Sequence, residues 1–155
     1  MATLHNFRTK PGLYANGLSR DGFIHTDVDF SKAPCAAGDI IILFEIPKGS
    51  IVQAFGAQLI KQQPPTASDA TLQLYKESGG VYTAVASGET AAIDVDNTEG
   101  MLFSANGSAK GGYLANERVF VGLTAGATTG ALNIAKLRVW VKYAEVPLCE
   151  LGITN

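Results

Sequence analysis

The chain has 155 residues, 46% of them hydrophobic and only 17% charged, with a net charge of −2. One domain of this length can bury roughly 70% of its unfolded surface, and charge below the usual ~25% leaves either a polar-neutral surface or an interface. The balance excludes the basic footprint of a nucleic-acid binder, no apolar run reaches membrane-spanning length, and the N-terminal MATLHNFRTKPG lacks the apolar core of a signal peptide, so a soluble protein made in the cytoplasm is expected.

Residues 1–34 mix Gly, Asn, Ser, Arg, Lys and Asp with isolated aromatics, Phe7, Tyr14, Phe23 and Phe30, seven to nine positions apart. Only residues 22–30 read as a short strand, with Phe23, His25, Asp27 and Asp29 on one face. Such a segment cannot build a core of its own. It is expected to be an extended N-terminal arm before a sandwich domain spanning 35–155. The arm is either a partly ordered tail or a strap whose four aromatics fill pockets on a neighbour.

From residue 39 onward no window carries helical periodicity with caps. Strands are expected near 39–46, 50–61, 70–76, 81–86, 90–96, 100–104, 117–124 and 131–145, divided by turn residues. The 17 glycines suit many tight turns. Eight strands at this spacing point to an all-β, antiparallel sandwich of two packed sheets, of the jelly-roll type. The first strand is apolar on both faces: Ile40, Ile42, Phe44 and Ile46 point one way, Ile41 and Leu43 the other. One side would face the core and the other a second layer or another subunit. Ile41 and Leu43 are therefore expected at an interface, in a dimer or trimer.

The last strand changes phase. Leu132 and Ile134 share a face, and Leu137, Val139, Val141 and Tyr143 then alternate out of step, which implies a bulge at Ala135-Lys136. Lys136, Arg138, Trp140 and Lys142 occupy the other face. The single Trp sits between cations, suited to cation–π contact. Trp140 either covers a loop or sheet rim, or anchors an interface with Arg138 and Lys142.

Chemistry is harder to find. A Ser or Cys nucleophile needs a base nearby, and the only imidazoles, His5 and His25, fall in the irregular N-terminal region. Cys35 and Cys149 are too few for a disulfide framework and are expected as free thiols. Asp27, Asp29, Asp94, Asp96 and Glu99 could offer oxygens to calcium, but Gly100 and Thr98 depart from the EF-hand pattern, and turn-forming Asp and Asn account for the cluster. No catalytic, cofactor or metal residue is expected, and no enzyme.

Two segments carry a resemblance. One is Gly38-Asp39-Ile40-Ile41-Ile42-Leu43-Phe44-Glu45-Ile46-Pro47-Lys48-Gly49, an acidic-aliphatic strand with a Pro-x-Gly turn. The other joins Arg118-Val119-Phe120-Val121-Gly122-Leu123-Thr124, through a Gly/Ala/Thr turn, to Lys136-Leu137-Arg138-Val139-Trp140-Val141-Lys142-Tyr143, with Thr71 to Tyr75 as the strand between. Together they resemble the head decoration, or cement, proteins of tailed bacteriophages. The Gln62-Gln63-Pro64-Pro65 loop and the N-terminal arm have no counterpart in that pattern. The resemblance implies a non-enzymatic β-sandwich, made in the host cytoplasm, that binds the outside of a capsid. Its partners would be the major capsid protein and copies of itself, with no nucleic acid and no membrane. A carbohydrate-binding β-sandwich for glycan or receptor attachment is the alternative. A cupin-like enzyme would need metal-ligating His inside the barrel, and no His lies beyond residue 25.

Overall fold

The computed structural model describes residues 4–9, 20–64, 69–85, 90–105, 113–115, 117–126 and 132–145. All regular structure among them is β: β1 (Leu4–Thr9), β2 (Arg20–Asp29), β3 (Ile40–Ile46), β4 (Ser50–Lys61), β5 (Ala70–Ser78), β6 (Val81–Ala84), β7 (Thr90–Ile93), β8 (Leu102–Ser104), β9 (Tyr113–Leu114), β10 (Val119–Ala125) and β11 (Lys136–Glu145). One sheet has the order β1-β3-β10-β5-β6, with β7 also on β5. The other has the order β2-β11-β4-β8, with β9 also on β4. Every pairing is antiparallel except that of β1 with β3.

The two sheets face each other because each presents an apolar row. Leu72, Leu74, Val121 and Leu123 come from the first, and Leu137, Val139 and Val141 from the second. Each such side chain contributes about 1.5–3 kcal/mol when fully buried. Between β3 and β4 the chain reverses at Pro47-Lys48-Gly49. Gly49 takes a φ of 90°, which only glycine adopts without strain, and the Ser50 N–H donates to the Pro47 carbonyl at 3.2 Å.

Two stretches of the expected arm are strands of the sandwich. β1 pairs with β3, and β2 pairs with β11 over ten residues from Arg20 to Glu145. The reason is alternation: Val28 points into the core while Phe23, His25 and Asp27 point out. Phe30 ends β2 inside the core at 0% exposure, its N–H bonded to the Ala135 carbonyl at 3.0 Å. It fills a pocket of its own chain, not of a neighbour.

β3 also differs from its expected phase. Phe44 pairs with Val121 and Ile42 with Gly122, so Leu43 is an extra residue in a bulge. The bulge brings Ile41, Leu43, Phe44 and Ile46 all into the main core. Ile41 and Leu43, expected at an interface, are buried completely within the chain. Ile42 joins Tyr75 and Phe120 in a small cluster on the far side of the first sheet, with half-buried Ile40 and Tyr82 packed against it.

The phase change before β11 is not a bulge at Ala135-Lys136. Leu132 sits in an isolated bridge with Cys35, and β11 begins only at Lys136. The extra residue lies on the partner strand: Lys136 pairs with Lys61 and Leu137 with Leu59, which skips Ile60.

The entry to β11 is held by a buried amide. Gln63 Oε1 accepts the N–H groups of Ile134 and Ala135 at 2.9 Å and of Asn133 at 3.3 Å, while Nε2 donates to Asn133 Oδ1 at 2.9 Å. Its neighbour Gln62 donates Nε2 to the Asp96 carbonyl at 2.6 Å, in an exposed setting. Removing the Gln63 amide would leave the buried Ala135 N–H and the half-buried Ile134 N–H without acceptors, at about 1–3 kcal/mol for each that is desolvated. Gln63→Ala is expected to lower Tm by about 5–15 °C, and Gln62→Ala by much less. Thermal melts followed by circular dichroism check this; equal, small shifts would show that water replaces the amide.

Candidate interaction face

The outer face of the β2-β11-β4-β8 sheet is laid out in rows by register. One row runs His25, Trp140, Gly56, Ser104. The next runs Asp27, Arg138, Gln58, Leu102. On the other side of Trp140, Lys142 lies between Phe23 and Ala54. Phe23 therefore meets Trp140 diagonally across two strands. Their rings stack with centroids 6.0 Å apart and planes 17° from parallel, and Phe23 also approaches the His25 ring at 6.5 Å.

Gly56 makes this arrangement possible. Any Cβ there would come 2.7 Å from Trp140 Cζ2, and would collide with the Phe103 carbonyl. The missing side chain lets the indole lie across β4. Beside it, Arg138 and Asp27 form a two-pronged pair, Nε to Oδ1 at 2.9 Å and Nη2 to Oδ2 at 3.2 Å. The Arg138 hydrogen bond holds the Asp27 carboxyl below its ordinary value. Asp29 is likewise lowered, chiefly by the Ser31 hydroxyl that donates to it at 2.6 Å. A shallow cavity of about 310 Å³ lies alongside, lined by Asp27, Val28, Asp29, Lys32, Ala33 and Lys136. Its two acids are held as carboxylates, which suits ion pairing rather than proton donation.

Four of the residues expected at an interface thus share one face: Phe23, Arg138, Trp140 and Lys142. Phe30, Ile41 and Leu43 belong to the core. Phe7 lies in β1 with its side chain outside the described part, and Tyr14 is outside the described residues, as is Cys149. The cation–π contact expected at Trp140 is made elsewhere, by Arg118 over Phe120 at 5.5 Å, while Trp140 stacks on Phe23. Gly56, Gln58 and exposed Leu102 were not singled out from sequence. A lone glycine in the middle of β4 was the available signal for the first of them.

The remaining candidates have local uses. Asp94 Oδ1 accepts the Asp96 N–H at 3.3 Å, Asn97 Oδ1 accepts the Thr98 N–H at 2.7 Å and Glu99 accepts the Gln62 N–H at 3.1 Å, a turn that satisfies its own backbone. No group of three or more His, Cys, Asp or Glu among the described residues is placed to hold a metal. Cys35 is a buried free thiol pushed up to about 11, first by burial and then by nearby Asp39.

What fold and face define is an all-β sandwich whose distinctive surface is an exposed aromatic stack edged with cations. No family model and no curated protein matches the chain. Among solved structures it is similar to a chain titled "Capsid of Ralstonia phage GP4", with a TM-score of 0.68 over 94% of this chain and 99% of that one, at 18% identity. At that identity the likeness establishes a shared fold.

Two outcomes follow from the geometry. Gly56→Ala is expected to cost about 1–3 kcal/mol through overpacking against Trp140 and the Phe103 carbonyl, with a shift in Trp140 fluorescence; an unchanged melt and spectrum would show that the indole does not rest on β4. The second concerns pH. Because the folded Asp27 carboxyl lies below its ordinary value of 3.8, its pairing contributes stability above that pH and loses it as pH falls further. Asp27→Asn should therefore lower Tm by about 1–2 °C near neutrality, a small effect for an exposed pair. The difference should vanish well below pH 3.8, and its persistence there in paired melts would assign it to packing.

Proposed function

We propose that this chain is a non-enzymatic structural protein of a phage virion, a capsid decoration or cement protein that sits on the outer surface of the head and bridges shell subunits. The observation that carries the reading is the shared fold: 94% of this chain superposes on almost the whole of a chain titled as a phage capsid. The low charge content supports it, since 17% charged residues leave much neutral surface for contacts. The open aromatic face supports it too. Weak contacts repeated over a shell gain strength by multivalency, so no deep site is required. The chain would act as a dimer or trimer, matching the symmetry of its sites.

The test is co-sedimentation with shells assembled from the major capsid protein of the same virus, without other head proteins. Saturable binding at a fixed ratio to shell subunits, with a higher melting temperature for the decorated shell, is the expected result. A chain that stays in the supernatant at micromolar concentration would end this reading.

A second reading has one specific observation in its favour. The stacked Phe23 and Trp140 rings, flanked by Gln58 and the Asp27–Arg138 pair, have the makings of a sugar platform. Saturable quenching of Trp140 fluorescence by a neutral oligosaccharide, with no shell binding, would favour a carbohydrate-binding module.

A further inference from the structure

The chain as a whole carries a net charge of −2, yet among the described residues one face carries more cations than anions. On the outer side of the β2-β11-β4 sheet, Lys61, Lys136, Arg138 and Lys142 stand against Asp27 and Asp29. Arg138 is committed to Asp27, and Lys142 has no ion-pair partner among the described residues. The same face holds two of the most exposed large apolar side chains of the described part, Phe23 at 59% and Leu102 at 69%. They stand three strand spacings apart across the sheet and four residues apart along it, roughly 20 Å in all, with Trp140 and Arg138 between them. Aromatic and arginine side chains at the centre of a patch, with mobile cations at its rim, make up the composition of a protein-binding hot spot.

Among the described residues, the charges of the opposite sheet are arranged differently. There Arg118 lies between Glu45 at 3.3 Å and Glu77 at 3.7 Å, and Lys76 meets Glu117 at 2.5 Å. Those acids are already answered within the chain. A copy that set this outer sheet against the basic face would therefore bring no spare carboxylate from these acids to Lys142. A two-fold copy would set the basic face against itself, which costs energy through like charges.

We propose that the Phe23–Trp140–Leu102 face is the docking surface, and that its occupant is an acidic protein surface with apolar pockets. Resting on the virion reading above, that surface is the exterior of the capsid shell. Phe23 and Leu102 enter the pockets, Arg138 is held ready by Asp27, and Lys136 and Lys142 pair with carboxylates of the shell.

The full-length chain tests this by co-sedimentation with undecorated shells, using Phe23→Ser, Lys142→Glu and, as a control with the same charge change, Lys48→Glu on the exposed β3–β4 turn. Thermal melts confirm that each variant is folded, and Lys142→Glu decides alone if Phe23→Ser is not. Binding weaker by tenfold or more for both face variants is expected, with Lys48→Glu within twofold of the parent. Raising salt from about 50 to 500 mM should weaken the parent more than Lys142→Glu. Parental binding that the face variants leave intact would place docking elsewhere and overturn the proposal while the virion reading stands. Failure of the parent itself to bind shells would overturn both. A neutral oligosaccharide that quenches Trp140 in the parent but not in Phe23→Ser would reassign the face to sugars.

Discussion

The register of β11 is the constraint on which the molecule depends. This strand is paired on both edges along its length, with β2 on one side and β4 on the other. Its residues alternate between two unlike jobs: Leu137, Val139, Val141 and Tyr143 fill the core, while Arg138, Trp140 and Lys142 form the outer face. A slip of one residue would exchange the two sets, exposing four apolar side chains and burying two cations. Gln63 helps to forbid the slip. By accepting three successive backbone N–H groups just before Lys136, it fixes where the strand starts. A buried amide of this kind contributes less through its own energy than through the cost of any arrangement that leaves its partners unmade.

The two outer faces of the sandwich solve the same problem in opposite ways. The first sheet closes over its apolar residues from within. Phe120 lies under Arg118 and edge-on to Tyr82, and Tyr75 hydrogen-bonds Thr124. Gly122 supplies the space for the Tyr75 ring, since a Cβ there would come 2.8 Å from it. Among the described residues next to Ile42, no large apolar side chain is exposed. The second sheet spends its glycine differently: Gly56 lets Trp140 lie down, but Phe23 covers it only from one side and stays exposed itself. The asymmetry is chemical as well as geometric: among the described residues, Arg118 and Lys76 beside the first sheet pair with Glu45, Glu77 and Glu117, and Lys142 on the second makes no ion pair.

Most strands were legible in the chain because turn residues and period-two alternation coincide. The stretches expected at 39–46, 50–61 and 70–76 correspond to β3, β4 and β5 within a residue or two. The N-terminal segment was not legible as sandwich, because β1 and β2 hold few apolar residues and draw their stability from long-range pairing with β3 and β11. Sequence spacing records nothing of such pairing. The fate of Ile41 and Leu43 turned on a bulge at Leu43, which is invisible until β10 is laid beside β3. Arg138, Trp140 and Lys142 could be placed on one face from β11 alone. That Phe23 joins them could not, since it depends on which strand takes the edge.

Docking through the open face, as proposed, would need little further ordering. Association loses free energy when flexible side chains must be immobilised, about 0.5–1.5 kcal/mol for each. Here the indole is already laid against β4 by Gly56 and held by Phe23, and the guanidinium is already oriented by Asp27 at 2.9 Å. Arg138 keeps donors to spare beyond those two contacts. The side chains that still move, the lysines, stand toward the rim, where a charge alters encounter rate and salt dependence more than affinity. For the proposed docking, an aromatic centre already stacked on a doubly paired strand, with lysines around it, would need little change of shape on binding, which would fit repeated use over a shell lattice.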